Sequence, residues 1–274
     1  MSTAHWKTAH TIVLLVVTGS ILGLGAISTY VTFDEAWNWG VWSFIILAAL
    51  LTALLCVIGH GLTKRVDGAL MDERFRISLS QFQVAVWTVV VLAAWGAAVF
   101  ANLGLNQSGT AAFDVSIPSE LWLALGISLA SLGGAKLIQA SDVRTPPAPI
   151  DESSTGGTIL AHRIGQSSGQ PLAGWTTRGN LLAHASPGRA TWGDLFAADT
   201  ASAGGVPDIS KIQMFFFTVV LAFGYAVACA DLFGTHGTTP ITGLPTLNES
   251  FVILLGISQG AYLTKKSVDV KMNP

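Results

Sequence analysis

Six apolar segments constrain the fold of this chain more than any other feature of its sequence. A helix that crosses a bilayer needs about 20 mostly apolar residues. Only 11% of the residues are charged, whereas a soluble domain carries about 25%. The pattern therefore predicts an all-α integral membrane protein with six transmembrane helices. The predicted spans cover about 10–31, 41–62, 82–103, 119–138, 211–233 and 249–264.

The Lys and Arg residues predict the orientation of these spans. With six spans, all 14 of them fall on one side of the membrane and none on the other. Basic residues are retained on the cytoplasmic side, so we expect a multi-pass protein of the inner (plasma) membrane with both termini in the cytoplasm. The charged residues on the outer side are all acids, and they predict an acidic outer mouth. They are Asp34, Glu35, Asp114, Glu120, Asp231 and Glu249.

Two parts of the sequence match each other at an offset of 130 residues, and the match covers two spans and the loop between them. An even number of spans keeps both copies in one orientation, which predicts two parallel two-helix repeats. Residues 1–65 then form a leading transmembrane hairpin, 66–139 the first repeat and 208–274 the second. The identical pairs include Ser80 and Ser210, Gln83 and Gln213, Thr88 and Thr218, Ser128 and Ser258, and Lys136 and Lys266.

Between the repeats lies a cytoplasmic insert, 140–207, that is rich in Pro, Gly and Ser. Weak alternation in its middle indicates short strands, so the insert is either a small β-rich module or a loose linker. Asp194, Asp199 and Asp208 are weak candidates for a metal site. Their spacing does not fit an EF-hand loop, which favours solvated loop acids over metal ligands.

Each repeat opens with Ser-x-x-Gln directly before an apolar run. This pattern is typical of a capping box, in which Ser and Gln satisfy the free N–H groups of the first helical turn. We therefore interpret Ser80, Gln83, Ser210 and Gln213 as cytoplasmic helix caps. A polar ring at the mouth of a pore is the alternative, and the two interpretations are compatible.

Four hydroxyl residues are predicted to lie at a similar depth in the membrane. Thr88 and Thr218 follow the capping Ser by eight residues, and Ser128 and Ser258 precede a Lys by eight. Eight residues correspond to about 12 Å of helix. These residues predict either hydrogen bonds between helices or a hydroxyl-lined constriction. Small residues at four-residue spacing favour close helix packing; they include Gly19, Gly23, Gly126, Gly256 and Gly260.

The two repeats resemble a group of bacterial inner-membrane proteins with a duplicated transmembrane hairpin. The shared motifs are S-x-x-Q followed by W/F-T-x-V, and then a Gly-Ile-Ser helix that ends in Leu and Lys. The resemblance covers 78–138 and 208–266, and the first repeat departs from it where Leu132 and Gly133 replace Tyr262 and Leu263. It implies the duplicated hairpin and brings no assigned function.

The sequence contains no phosphate-binding, dinucleotide-binding or hydrolase motif, so we expect neither an enzyme nor a cofactor. The scattered inner charges argue against nucleic-acid binding. Our hypothesis is a homo-oligomeric pore for small cations in the lipid bilayer. The alternatives are a non-conducting anchor or signalling scaffold, which uses the insert to dock a cytoplasmic protein, and a facilitated transporter of a neutral solute.

Overall fold

A computed structural model describes residues 7–28, 39–105, 109–144, 175–179, 181–200 and 206–271. Within these ranges the chain forms six long helices and one β-hairpin. The helices are α1 (Thr8–Ser28), α2 (Trp39–Thr63), α3 (Leu79–Gly104), α4 (Ser119–Arg144), α5 (Ile209–Thr235) and α6 (Glu249–Lys271). The strands are β1 (Trp175–Arg178) and β2 (Leu181–His184). Short 3₁₀ helices and a four-residue helical turn, Gly109–Ala112, lie in the connections.

Five of the described helices are long and apolar enough to cross a membrane, namely α1, α2, α3, α4 up to Ser141, and α5. They expose large apolar side chains, as helices in contact with lipid do; Leu22, Leu137 and Phe223 are 71%, 76% and 70% exposed. The chain is therefore an α-helical, multi-pass membrane protein. The sixth helix, α6, has 23 residues, but its composition is more polar than that of the other five.

The long helices begin at positions that differ by the offset of the sequence match. Helices α3 and α5 begin at Leu79 and Ile209, and α4 and α6 begin at Ser119 and Glu249. The predicted caps Ser80 and Ser210 therefore lie inside the first turn, and their assignment as caps is wrong. Asp208 takes this role in α5, because its Oδ1 accepts a hydrogen bond from the backbone N–H of Ser210 at 3.0 Å.

The chain divides into two compact units. Unit 1 comprises 1–66, 85–125 and 219–253. Its core lies around the middle of α3, where five alanines have no exposed surface and allow neighbouring helices to approach closely. They are Ala93, Ala94, Ala97, Ala98 and Ala101.

At one end of unit 1, the buried amide of Asn102 joins two loops. Its Nδ2 donates to the carbonyl oxygens of Ala112 at 3.3 Å and Ile241 at 2.9 Å. Its Oδ1 accepts the N–H of Ile241 at 2.8 Å. One side chain thus satisfies backbone groups of both loops, which would be costly to leave unpaired.

Unit 2 comprises 67–84, 126–218 and 254–274. It contains the antiparallel hairpin β1–β2, in which Trp175 pairs with His184 and Arg178 with Leu181. The backbone N–H of His184 donates to the carbonyl of Arg74, and that of Leu182 to the carbonyl of Asp199. The described part of the insert is therefore hydrogen-bonded to the segment that precedes α3.

The glycines that the sequence assigns to helix packing are mostly open in the structure. A Cβ on Gly19, Gly23, Gly126 or Gly260 would meet no atom within 4 Å, and only Gly256 has a neighbour, Ile127, at 3.6 Å. Within the described chain, four of the five therefore contact no neighbouring helix, and their role in packing between copies stays a prediction. Among the glycines of the long helices, the closest approach occurs instead at Gly25, where a Cβ would lie 2.7 Å from the Phe100 ring.

Candidate functional site

A tight turn before α3 fixes two arginines inside unit 2. Asp72 Oδ1 accepts the backbone N–H groups of Arg74 at 2.9 Å and Arg76 at 3.1 Å. Phe75 between them has a φ of 56°, a left-handed conformation that is unfavourable for a side chain with a Cβ. The hydrogen bonds to Asp72 hold this conformation, so the directions of both arginines are set by the backbone.

The carboxylate of Asp199, only 9% exposed, lies at the centre of a cluster of four cationic side chains. Its Oδ1 accepts from Arg74 Nη2 at 3.1 Å, Arg76 Nη1 at 3.3 Å and Lys211 Nζ at 3.0 Å. Its Oδ2 accepts from Lys266 Nζ at 2.9 Å. We call these five residues, together with Asp72 and Asp194, the Asp199 cluster.

Asp72 and Asp194 complete the charges of the cluster. Asp72 Oδ2 lies 2.6 Å from Arg74 Nη2. Asp194 Oδ2 lies 3.0 Å from His184 Nε2, and Asp194 Oδ1 lies 3.8 Å from Arg76 Nε. All of these side chains are at most 9% exposed. The cluster therefore holds four cationic groups and three carboxylates, and one positive charge remains uncompensated when His184 is neutral.

Burial alone would raise the pKa of Asp199, because the charged form loses its hydration. The charges of Lys211, Lys266, Arg74 and Arg76 outweigh burial and hold this pKa well below its usual value. The pKa of Asp194 is also lowered, since hydrogen bonds from His184 and the backbone of Thr191 outweigh burial. Both carboxylates are therefore ionised at neutral pH.

A small pocket opens beside the cluster, with a cavity volume of about 20 Å³. Such a volume holds about one water molecule or an ion of similar size. The first turn of α3 lines one wall, and polar or charged groups line most of the rest. The polar lining residues are Asp72, Arg74, Ser78, Ser80, Gln81, Lys136, Gln139, Asp199, Lys211 and Tyr262.

A chain of buried polar side chains also runs through unit 2. Gln259 Nε2 donates to Gln83 Oε1 at 2.9 Å, and Gln83 Nε2 donates to Thr218 Oγ1 at 2.6 Å. Thr218 in turn donates to the carbonyl of Met214 at 2.9 Å. The predicted capping role of Gln83 is therefore wrong, because its amide bonds other helices instead of its own first turn.

The positions matched by the repeat differ in environment. Gln83 is buried and Gln213 is exposed, whereas Thr88 is exposed and Thr218 is buried. Ser128 and Ser258 are also buried. The four hydroxyl residues predicted to line a pore thus differ in burial, since three are buried and Thr88 is exposed. The exposed Gln213 makes no capping hydrogen bond within the described residues.

Three of the outer acids, Asp114, Asp231 and Glu249, are exposed, and Glu120 is half-buried. Asp34 and Glu35 lie outside the described residues. The weak metal candidates are contradicted, because Asp199 and Asp194 contact cations of the chain and Asp208 contacts Lys265 Nζ at 2.6 Å. No other group of His, Cys, Asp and Glu in the described ranges could hold a metal ion.

Sequence reasoning missed the four cations of the Asp199 cluster, since it used Lys and Arg only to orient the spans. One signal was present: the segment "DERFR", 72–76, places four charges directly before an apolar helix. The contact with Asp199, more than 120 residues away in sequence, is invisible without tertiary structure. Comparisons of the chain with protein-family models, curated proteins and solved structures found no match.

Proposed function

We propose that this protein forms a homo-oligomeric pore for small cations in the inner membrane, closed at its cytoplasmic side by the Asp199 cluster. In this proposal six helices span the membrane with both termini in the cytoplasm, and α3–α4 and α5–α6 are parallel repeats. The cation pathway lies between copies of the chain. The buried hydroxyl of Thr218 then serves as a hydrogen-bond partner of Gln83 on α3.

The Asp199 cluster is the observation that carries this proposal. Asp199 belongs to the insert, Lys211 to the first turn of α5 and Lys266 to the last part of α6. Arg74 and Arg76 belong to the turn before α3. Under the positive-inside orientation all of these groups are cytoplasmic. A buried charge network is stable only when its geometry is complete, so it suits a closed state that a local change can release.

The features of α6 support its assignment as the sixth span. The part of α6 before Lys265, 249–264, corresponds to about 24 Å of helix. This is shorter than the hydrocarbon core of about 30 Å, and a short span is accommodated by local thinning of the bilayer. Lys265 and Lys266 lie toward its end, where they bind Asp208 and Asp199. Their charges are therefore neutralised by the protein on the cytoplasmic side and lie outside the lipid.

Cation preference is supported by the outer acids. Asp114, Asp231 and Glu249 are exposed, and the predicted outer loops contain no Lys or Arg. An acidic mouth raises the local cation concentration and lowers that of anions. The rival function as a docking scaffold has less support, because the described part of the insert is bound within unit 2.

The test is ion flux in liposomes that contain the purified protein. Asp199→Asn removes the central carboxylate, and Glu73→Gln, which changes an exposed acid of the turn before α3, is the control. We expect Asp199→Asn to raise K⁺ flux by about tenfold or more, since each 1.4 kcal/mol lost by the closed state changes its population tenfold. Glu73→Gln should match the unmodified protein.

A double variant, Asp231→Asn with Glu249→Gln, tests the acidic mouth separately. We expect a lower preference for K⁺ over Cl⁻ in reversal-potential measurements, with the assembly unchanged. The proposal is contradicted if neither the unmodified protein nor correctly assembled Asp199→Asn passes cations. A monomeric state by native mass measurement in nanodiscs would contradict the pathway between copies.

A further inference from the structure

We propose that the pocket at the first turn of α3 binds one small monovalent anion, of the size of a chloride ion. The site lies within unit 2, and Arg74, Lys136, Lys211, Ser78 and Ser80 line it. This proposal does not rest on the proposed cation pore, because it is argued from the charge, the hydrogen-bond donors and the size of the pocket.

The charge of the Asp199 cluster is the first argument. Four buried cationic groups face three carboxylates, and the additional pair of Asp208 and Lys265 neutralises itself. An unpaired buried charge is costly, and a bound counter-ion removes that cost. One monovalent anion balances the cluster. The two carboxylates that line the pocket, Asp72 and Asp199, are already bonded to cations of the chain.

Unpaired hydrogen-bond donors are the second argument. Arg74 is 5% exposed and lines the pocket, yet its Nη1 has no hydrogen-bond partner among the described residues. Its other two nitrogens bond Asp72 and Asp199. A buried guanidinium N–H without an acceptor is rare and costly, so Arg74 offers a free donor to an anion.

The position of the pocket is the third argument. Residues 78–81 line it, and they are the residue before α3 and its first turn. The first N–H groups of a helix have no partner within the helix, and the helix dipole makes this end attractive to anions. The helix is 26 residues long, so its dipole is fully developed. The N-terminus of α3 and the Arg74 side chain therefore both favour a negatively charged ligand.

Size separates the possible ligands. A cavity volume of about 20 Å³ accepts a monoatomic ion and excludes larger polyatomic anions such as gluconate. A water molecule also fits and could bridge Arg74 Nη1 to Gln81 Oε1, which likewise has no partner among the described residues. Water leaves the extra positive charge in place, and this difference makes the two occupants distinguishable.

The experiment measures the melting temperature of the purified protein in nanodiscs during titration with sodium chloride against sodium gluconate at constant ionic strength. A ligand that binds only the folded state raises the melting temperature with its concentration. We expect a rise in chloride and bromide and none in gluconate. Lys136→Gln, at the exposed edge of the pocket, should weaken the rise several-fold. Lys265→Gln, a Lys that does not line the pocket, is the matched control and should keep it.

A second measurement does not depend on stability. The ³⁵Cl NMR line should broaden in the presence of the protein, and bromide should compete the broadening away. Arg74→Gln should abolish the broadening. Lys136→Gln should reduce it, and this variant carries the test where Arg74→Gln does not fold. Equal melting temperatures in chloride and gluconate, together with an unbroadened line, would overturn the proposal and leave water as the occupant.

Discussion

The interiors of the two units are built from opposite kinds of side chain. In unit 1, alanines of α3 pack with Trp87, Tyr225 and Phe233, and the buried amide of Asn102 bonds the loops. In unit 2, a smaller apolar cluster that includes Met71 and Met214 accompanies the Asp199 cluster. Among the described residues, buried charged side chains occur only in unit 2.

This difference teaches that the two units respond to different perturbations. Close-packed apolar side chains tolerate changes of pH and salt, because their stabilisation depends on area and contact. A buried charge network is stable while every partner is present and fails when one is removed. Unit 2 therefore has the physical properties of a switch, and unit 1 those of a rigid support.

The largest expected effect comes from Asp199→Asn, which leaves four buried cations with two carboxylates. Breaking a buried ion network by removal of one partner costs about 3–5 kcal/mol in the free energy of unfolding. Hydrogen exchange measured by mass spectrometry should show faster exchange in 71–84 and 181–200 of unit 2, with little change in 91–102 of unit 1. Equal acceleration in both units would refute the contrast between them.

Acid should act on the same network. The folded-state pKa of Asp199 is held below the unfolded value, so its ionised form stabilises the fold above the unfolded pKa of about 4. This stabilisation is lost as pH falls through the folded pKa. We expect the melting temperature of the unmodified protein to fall below about pH 4, more steeply than that of Asp199→Asn. Parallel pH curves for the two proteins would contradict this assignment.

Unit 1 should be sensitive to Asn102→Ala. The change removes three hydrogen bonds to the backbone of two loops and leaves buried groups unpaired, at a cost of about 1–3 kcal/mol. Thr242→Ala, an exposed side chain in the same loop, is the control and should stay within about 0.5 kcal/mol. Denaturant unfolding in mixed micelles checks both. If the two variants lower the free energy of unfolding by the same amount, the Asn102 side chain does not stabilise the loops.

The smallest effect compares two glutamines at matched positions. Gln83→Leu removes the hydrogen bonds to Thr218 and Gln259, each of which contributes about 0.6 kcal/mol on average in membrane proteins. Gln213→Leu changes an exposed side chain and should have almost no effect on the free energy of unfolding. A double-mutant cycle between Gln83 and Thr218 would isolate their coupling. If the two substitutions lower the free energy of unfolding equally, the hydrogen bonds of Gln83 do not stabilise the fold.

The sequence alone predicted the α-helical membrane class, because apolar length and the scarcity of charge are properties of each segment by itself. Helix starts were predicted to within a few residues, since the apolar segments begin close to the first residues of the helices. The cap positions were wrong by two residues, because Asp208 binds the N–H of Ser210 through its own side chain. Local patterns such as Ser-x-x-Gln do not reveal which of two nearby polar residues faces the helix end.

What only the tertiary structure decided is where polar groups of distant segments meet. Sequence reasoning took Asp199 for a solvated loop acid and a weak metal candidate, and the fold makes it the common partner of four cations. It also treated Gln83 and Gln213 as equivalent, and the fold buries one and exposes the other. The physical reason is that burial and pairing depend on neighbours distant in sequence, whereas the membrane partition of a helix depends on its own residues.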